Sequence, residues 1–306
     1  MRNSCFKHIY GLLFIVFASM IGCNSTPKKP ERLAKHVILI GSDGFGSYAF
    51  EKGKFPNLRK MMKGGAYSLE ARAVLPSSSA VNWASMIMGS PPELHGYTEW
   101  GSRTPEIPSR VIGDGNIYPS IFSLIENQLP EEKKGVIYTW GGIGYLFEKN
   151  MVDIDVNGES DEKTMQTALN FFQKEKPAFT FIHFSAPDGA GHNIGHDTPE
   201  YYTDAEKIDG LIGQIVSKLE ETEMMDDTVI IFSSDHGGIN KGHGGKTLLE
   251  MEIPWVIYGK DIPAKEKLDS SIITYDTAAT IAHVLGLETP EFWRGKNIKE
   301  VFENEK

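Results

Sequence analysis

Five short stretches of the chain are almost unbrokenly apolar: KHVILIGSDG (35–44), KGVIYTW (134–140), AFTFIHFSAPD (178–188), DTVIIFSSDHG (227–237) and IPWVIYG (253–259). Runs of this length, rich in β-branched and aromatic residues and closed by Gly, Asp or Pro, predict strands buried on both faces. Between them, apolar residues recur every three to four positions over 117–129, 161–175, 199–221 and 275–287, which predicts helices. FPNLRKMMKGGA (55–66) predicts a shorter helix closed by glycines. Strands alternating with helices predict an α/β domain with a mostly parallel central sheet covered by helices on both faces. No internal repeat interrupts the pattern, and no linker follows residue 35. Around 97–116 the periodicity weakens and turn residues cluster, which marks a small cap.

The polar residues fall at telling places. Three apolar runs end in a carboxylate: Asp43 in GSDG, Asp188 in APDGAGHNIGH and Asp235 in SSDHGGINKGHGG. In open parallel sheets, sites form beyond the carboxyl ends of the strands, so three aspartates far apart in sequence can meet in one cleft. His192 follows Asp188 by four residues, His236 follows Asp235 directly, and His243 lies beyond a glycine-rich loop. Each piece alone reads as a turn residue or a buried histidine. The same arrangement at three strand ends reads as a metal site, because carboxylate and imidazole are ligands for zinc. Carboxylate-rich sites also accept manganese or iron. Three aspartates, three histidines and a serine suffice for two ions, and two ions about 4 Å apart can clamp the attacking and leaving oxygens of a phosphoryl displacement.

The serine comes from VLPSSSAVNWASMIMGSPPELHG (74–96). Serines followed by apolar residues at helical spacing predict a helix N-terminus. A cap needs one serine, and three are present. A helix start also offers free N–H groups and a positive dipole end to a phosphate. A serine there, beside a metal ion, is a nucleophile that needs no histidine base. Asn82, one turn on, is placed to donate its amide to a phosphoryl oxygen. Trp83, Tyr97 and Trp100 are candidates for substrate contact.

Charge and cysteine content narrow the setting. The formal net charge of −10 argues against a nucleic-acid polymer as partner. Arg2, Lys7 and an apolar run ending at Cys23 describe a secretion signal over 1–22, and MIGC resembles a bacterial lipoprotein cleavage site. Of the two cysteines, Cys5 would leave with that signal and Cys23 would carry lipid. The expected protein is therefore lipid-anchored in the cell envelope, on the periplasmic or outer-membrane face. A polar tether (23–35) would precede a thiol-free catalytic domain (36–303).

These motifs resemble the alkaline phosphatase superfamily, and within it the nucleotide pyrophosphatase/phosphodiesterase branch, from about residue 36 to 298. That branch has a strand ending in a D-G aspartate, here Asp43. It then has a proline, a Thr or Ser nucleophile, an asparagine three residues later, and a glycine before P-E-x-H-G. This chain reads Pro76, Ser79, Asn82, Gly89 and PELHG, which selects Ser79 from the three serines. SAPDGAGH and SDHG supply the next two blocks.

The resemblance implies an alkaline-phosphatase-like sandwich and two zinc ions, one on Asp188, His192 and His243, the other on Asp43, Ser79, Asp235 and His236. It also implies hydrolysis of a small phosphate ester, a diester or nucleotide above all, through a phosphoseryl intermediate on Ser79, with Asn82 assisting. Serine stands where threonine is usual, and V-N-W stands where P-N-H is frequent, so Trp83 bears on substrate preference. A phosphomonoesterase would favour a cation at the phosphoryl group, with Lys246 and Arg294 as candidates. A sulfatase would need a Cys/Ser-x-Pro-x-Arg signature, which is absent. A non-catalytic surface lipoprotein would have lost a ligand or the nucleophile, and all seven positions are filled.

Overall fold

The computed structural model describes residues 30–303. The leader, Cys5, Cys23 and most of the tether lie outside the described residues. Eight strands form one sheet: β1 (His36–Ser42), β2 (Ala66–Arg72), β3 (Lys134–Tyr138), β4 (Ile154–Asn157), β5 (Phe179–Phe184), β6 (Thr228–Ser233), β7 (Glu252–Gly259) and β8 (Glu266–Lys267). Their order is β4-β3-β5-β1-β6-β7-β2-β8. The first five in that order are parallel. β7 alone opposes them, pairing antiparallel with both β6 and β2.

The five apolar runs are β1, β3, β5, β6 and β7. The remaining strands lie towards the sheet's two edges, where one face meets water; β4 (IDVN) alternates half-buried with exposed residues and is too short and polar to announce itself. β7 reverses direction because the connection from β6 holds the glycine-rich ligand loop and only a four-residue helix, not the covering helix that a parallel crossover uses.

Ten α-helices accompany the sheet: α1 (Ala49–Lys52), α2 (Pro56–Gly64), α3 (Ser79–Met88), α4 (Pro92–His95), α5 (Ile121–Gln128), α6 (Asp161–Glu175), α7 (Asp188–Asn193), α8 (Pro199–Glu221), α9 (Leu248–Met251) and α10 (Asp276–Val284), all among the described residues. Alternation along β1 assigns them to two layers. Val37 and Leu39 face one core with residues of α3, α5 and α10. Ile38 and Ile40 face the other with residues of α2, α6 and α8. Both faces are covered, as the continuous apolar strands require.

Local chemistry sets the helix ends. Ser160 and Thr198 accept backbone N–H bonds at the starts of α6 and α8. α5 begins at Ile121 rather than 117, because Pro119 precedes Ser120, whose hydroxyl caps the Phe122 N–H. Phe55 gives α2 no side-chain cap; buried Asp209 on α8 accepts from Asn57 N at 3.1 Å and Leu58 N at 2.8 Å instead.

The 97–116 segment has one 3₁₀ turn, at Asp114–Asn116, and folds back on α4 through Glu106 N and Ile107 N bonding Gly96 O. Ala80 N, in the first turn of α3, donates to Trp100 O. The segment leaves Trp100, Ile107 and Ile112 exposed. No helix among the described residues is long and apolar enough to cross a membrane.

Candidate metal centre and catalytic cleft

β5, β1 and β6 are adjacent and parallel, so their carboxyl ends lie side by side. Asp43 follows β1 directly, Asp188 opens α7 just after β5, and Asp235 lies two residues past β6. Gly44 makes the approach possible: its φ is +67°, and a Cβ there would lie 2.8 Å from Asp188 Cβ.

Two groups of ligand atoms result. In each, one atom per residue lies within 4.8 Å of the others: Asp43, Asp235 and His236 in a fully buried group, Asp188, His192 and His243 in a more open one. The groups touch. The His236 and His243 rings stack with centroids 3.7 Å apart. Ser79 Oγ is 3.2 Å from His236 Nε2.

The histidine tautomers follow from their backbone partners. Nδ1 of His236 lies 2.8 Å from Gly237 O, that of His192 3.1 Å from Lys241 O, and that of His243 3.1 Å from Ser77 O. A carbonyl only accepts, so each Nδ1 carries the proton and each neutral ring presents a bare Nε2. Nε2 of His192 and Nε2 of His243 then face each other at 3.1 Å. Two lone pairs at that distance repel unless a cation lies against both. Holding the far nitrogen on a carbonyl is also how ligating histidines are oriented.

The carboxylates point the same way. Asp43 Oδ1, Asp188 Oδ1 and Asp235 Oδ2 are buried without a hydrogen-bond partner. Buried polar atoms are normally paired, and an orphaned carboxylate oxygen is costly. Burial, and then the nearby Asp43 charge, push Asp188 up to about 8 and Asp235 well above the usual carboxylate range. Burial drives His236 down to about 3. For Asp43 burial acts upward, but donation from His183 and the His236 and His183 rings outweigh it, and the net shift is down. Without a cation, Asp188 and Asp235 resist ionisation, and burial makes His236 and His243 resist protonation. A divalent ion in each group reverses both tendencies, so the residues present fit two metal ions.

The three serines divide the work. Ser77 Oγ donates to Gly245 O at 2.6 Å and its carbonyl holds His243, tying the glycine loop down. Ser78 occupies the N-cap of α3, yet its hydroxyl makes no capping bond and is buried unpartnered. Of the three, Ser79 alone brings its hydroxyl to the two groups, against His236.

Asn82 departs from expectation. Its Oδ1 accepts from Val74 N at 2.7 Å, and its Nδ2 lies within 3.2 Å of the carbonyls of Val74, Pro76 and Ser78. The amide is spent clamping the 74–78 loop that presents Ser79 and is not turned to the cleft. Trp83 and Tyr97 also depart. Both are fully buried and neither lines the cleft. Trp83 Nε1 donates to Asp43 Oδ2 at 3.2 Å, and Tyr97 donates to Tyr145 O at 2.8 Å. Trp100 lines the cleft and is 65% exposed.

Sequence reasoning missed His183, whose Nε2 donates to Asp43 Oδ2 at 3.1 Å. A single histidine in the apolar FTFIHF strand was the available signal. Trp140 and Glu99 also line the cleft. The cleft, about 660 Å³, runs over the open ligand group from Ser79 and Pro76 to Trp100 and Trp140. Among the described residues no Lys or Arg lines it, and Lys246 and Arg294 are exposed elsewhere.

A mostly parallel sheet between helical layers, with its site at the carboxyl strand ends, is the alkaline-phosphatase-like α/β fold. The chain belongs to the type I phosphodiesterase/nucleotide pyrophosphatase family, whose sequence model matches residues 37–243. It is 23% identical over 241 residues to the human bis(5'-adenosyl)-triphosphatase ENPP4, covering 74% of this chain and 52% of that one. It is 25% identical over 226 residues to human ectonucleotide pyrophosphatase/phosphodiesterase family member 1, covering 66% and 23% respectively. The chain thus spans about half the length, or less, of these curated relatives.

Among solved structures, an inactive variant of murine ectonucleotide pyrophosphatase/phosphodiesterase 5 in complex with AMP gives a TM-score of 0.69 at 15% identity, over 87% of this chain and 99% of that one. A 2-O GAG sulfatase gives 0.68 at 13% identity, over 90% and 74%. At these identities the likeness is one of fold.

Proposed function

We propose that the protein is a zinc-dependent phosphodiesterase of the nucleotide pyrophosphatase type, working through a phosphoseryl intermediate on Ser79. The observation that carries this is the placing of Ser79 Oγ against His236, in the buried ligand group, whose ring stacks on His243 of the open one. Asp43, Asp235 and His236, with Ser79, would hold one ion; Asp188, His192 and His243 would hold the other. Two bound zinc ions would offset the carboxylate charge and stabilise negative charge on the serine oxygen and the phosphoryl oxygens.

The chain's own residues do the rest. Ser79 Oγ attacks phosphorus, the bond to the leaving oxygen breaks, and water then cleaves the phosphoserine, regenerating the hydroxyl. Asn82 keeps the 74–78 loop in the shape that aims Ser79 at the cleft. His236 is no general base of a serine triad. Asp235 Oδ2 lies 3.2 Å from the same Nε2 that faces Ser79, not from Nδ1, and a ring held near 3 takes no proton at neutral pH.

The cleft favours a diester. A monoester carries a second negative charge, and among the described residues no Lys or Arg lines the cleft to receive it. Trp100 and Trp140 offer aromatic surface to a base or other flat group. Nucleotide relatives support the same reading: one relative is a bis(5'-adenosyl)-triphosphatase, and a structural neighbour holds AMP. We place the protein in the cell envelope, anchored through lipid on Cys23, on the strength of the basic start, the apolar run and the MIGC site.

The test is metal analysis of the purified protein with rates on bis(p-nitrophenyl) phosphate and p-nitrophenyl phosphate. About two zinc per chain and a faster diester rate are expected. Ser79→Ala should lower that rate by on the order of 10³-fold or more while leaving the fold intact. A faster monoester rate would overturn the diester preference. A rate on neither ester that depends on Ser79 would overturn the catalytic reading.

A further inference from the structure

His196 belongs to neither ligand group, yet its surroundings are unusual. The residue is 6% exposed, and its Nε2 is buried without a partner. The ring's Cε1–Nε2 edge is pressed between two glycines. A Cβ on Gly191 would lie 2.5 Å from it and a Cβ on Gly238 2.2 Å, so neither position has room for a side chain. Gly191 precedes His192 on α7, and Gly238 begins the loop from His236 to His243.

Backbone ties reinforce the wedge. His196 N donates to Asn240 O at 2.7 Å, and Lys241 Nζ donates to Asn193 O at 2.8 Å. On its other side the ring reaches Tyr48, whose hydroxyl is 3.2 Å from Nδ1, and lies 5.3 Å from the Tyr201 ring. Tyr201 in turn donates to Gly44 O, beside Asp43, at 2.8 Å.

Taking the two-ion reading as its basis, we propose that His196 is a positioning residue that sets the separation between His192 and His243, and so the affinity of the open ion site. The argument is mechanical. Asp43 and Asp235 hang directly from packed strands and need no spacer. His192 sits on a six-residue helix and His243 on a glycine-rich loop; besides the ties of Lys241 to His192 and Asn193, the two segments are spaced by contacts with one ring. A group that orients ligands without touching the ion typically controls 10–100-fold of metal affinity. The contacts with Gly191 and Gly238 are made by the edge of the ring, so its volume is what spaces the two segments.

The experiment titrates metal-free protein with zinc against a competing chelator, resolving the two sites, in the wild type, His196→Ala and His196→Phe. For His196→Ala the open site should weaken about tenfold or more, with the buried site within about threefold of wild type. His196→Phe should restore the open site to within about threefold, since it refills the wedge. Melting of the metal-free proteins separates positioning from general loosening: a structural role alone would lower both affinities together with the melting temperature. Unchanged affinity in His196→Ala, or an equal loss at both sites, overturns the proposal. Absence of zinc binding in the wild type would instead overturn the two-ion reading.

Discussion

The two ligand groups share a cleft but are built differently. Asp43, Asp235 and His236 are wholly buried and follow strands in the middle of the sheet. Asp188, His192 and His243 lie on a short helix and a loop, and His192 is 45% exposed. The buried group is held by donors that are themselves buried. Trp83 and His183 both donate to Asp43 Oδ2, and Gly44 N donates to Asp235 Oδ1 at 3.1 Å. The open group is held by main-chain carbonyls of two loops, those of Lys241 and Ser77. On the two-ion reading, the buried group would retain its ion and the open group would exchange with solvent and substrate.

The largest effect should come from removing one carboxylate from each group. Asp235→Asn should lower the diester rate by on the order of 10³-fold, the scale of losing a preorganised charge partner at the reacting oxygen. Added zinc should not restore it, because the site is closed. Asp188→Asn should also lower the rate, but millimolar zinc should return much of it. Chelation should follow the same order, with the open site emptied first and the buried site slowly. Equal rescue of both variants by zinc would break the comparison.

A second effect concerns pH in the metal-free protein. Asp188 is pushed up to about 8 and Asp235 well above its usual range, chiefly by burial, so the folded chain holds protons that the unfolded chain has released. Stability from that source is complete below the ordinary carboxylate range and is lost as pH rises through the folded values. Below about pH 6.5 the buried histidines oppose it, since the unfolded chain protonates them and the fold holds His236 near 3 and His196 near 4. Above that pH only the carboxyl effect remains. The melting temperature of metal-free protein should therefore fall between pH 7 and 9. Zinc should bind with release of roughly one to two protons at pH 7, read by calorimetry in buffers of different ionisation enthalpy. A flat melting profile would mean that the buried carboxylates are already solvated.

The contrast between the groups also shows what the sequence could disclose. The residues that gather into the two groups were legible because they sit in short-range patterns: an aspartate closing an apolar run, a histidine one or four residues on, and His243 after a glycine-rich loop. The central strands were legible because burial on both faces leaves an unbroken apolar signature. What escaped depends on which elements become neighbours. His183 matters only because β5 lies against β1, and no local pattern states that order. Trp83 was read as a substrate contact because it lies one turn from Ser79, but at that angle on α3 it points under the cleft, at Asp43. Asn82 was placed correctly in the chain and assigned the wrong partner, since the carbonyls it binds come from the loop folding back over it. β7 was legible as a strand, while its direction followed from the site-bearing loop before it.

The smallest predicted effect tests the support beneath the buried group. Trp83 and His183 both donate to Asp43 Oδ2, which leaves Oδ1, buried and unpartnered, as the free ligand atom. Trp83→Phe removes one donor but keeps an aromatic ring in the place where the indole packs, 5.0 Å from His183 and 5.6 Å from Phe181 between centroids. With one donor gone, the carboxylate can rotate and share its charge less directionally, so zinc affinity at the buried site should drop about tenfold. The open site should not change, and the rate at saturating zinc should stay within about threefold of wild type, because Trp83 does not line the cleft. Competition with a chelator reads the first expectation and a zinc-saturated diester assay the second. A Michaelis constant raised with metal affinity intact would return Trp83 to the substrate and remove it from the metal site. A loss at both sites would show that the buried group braces the open one, and that the two are a single unit.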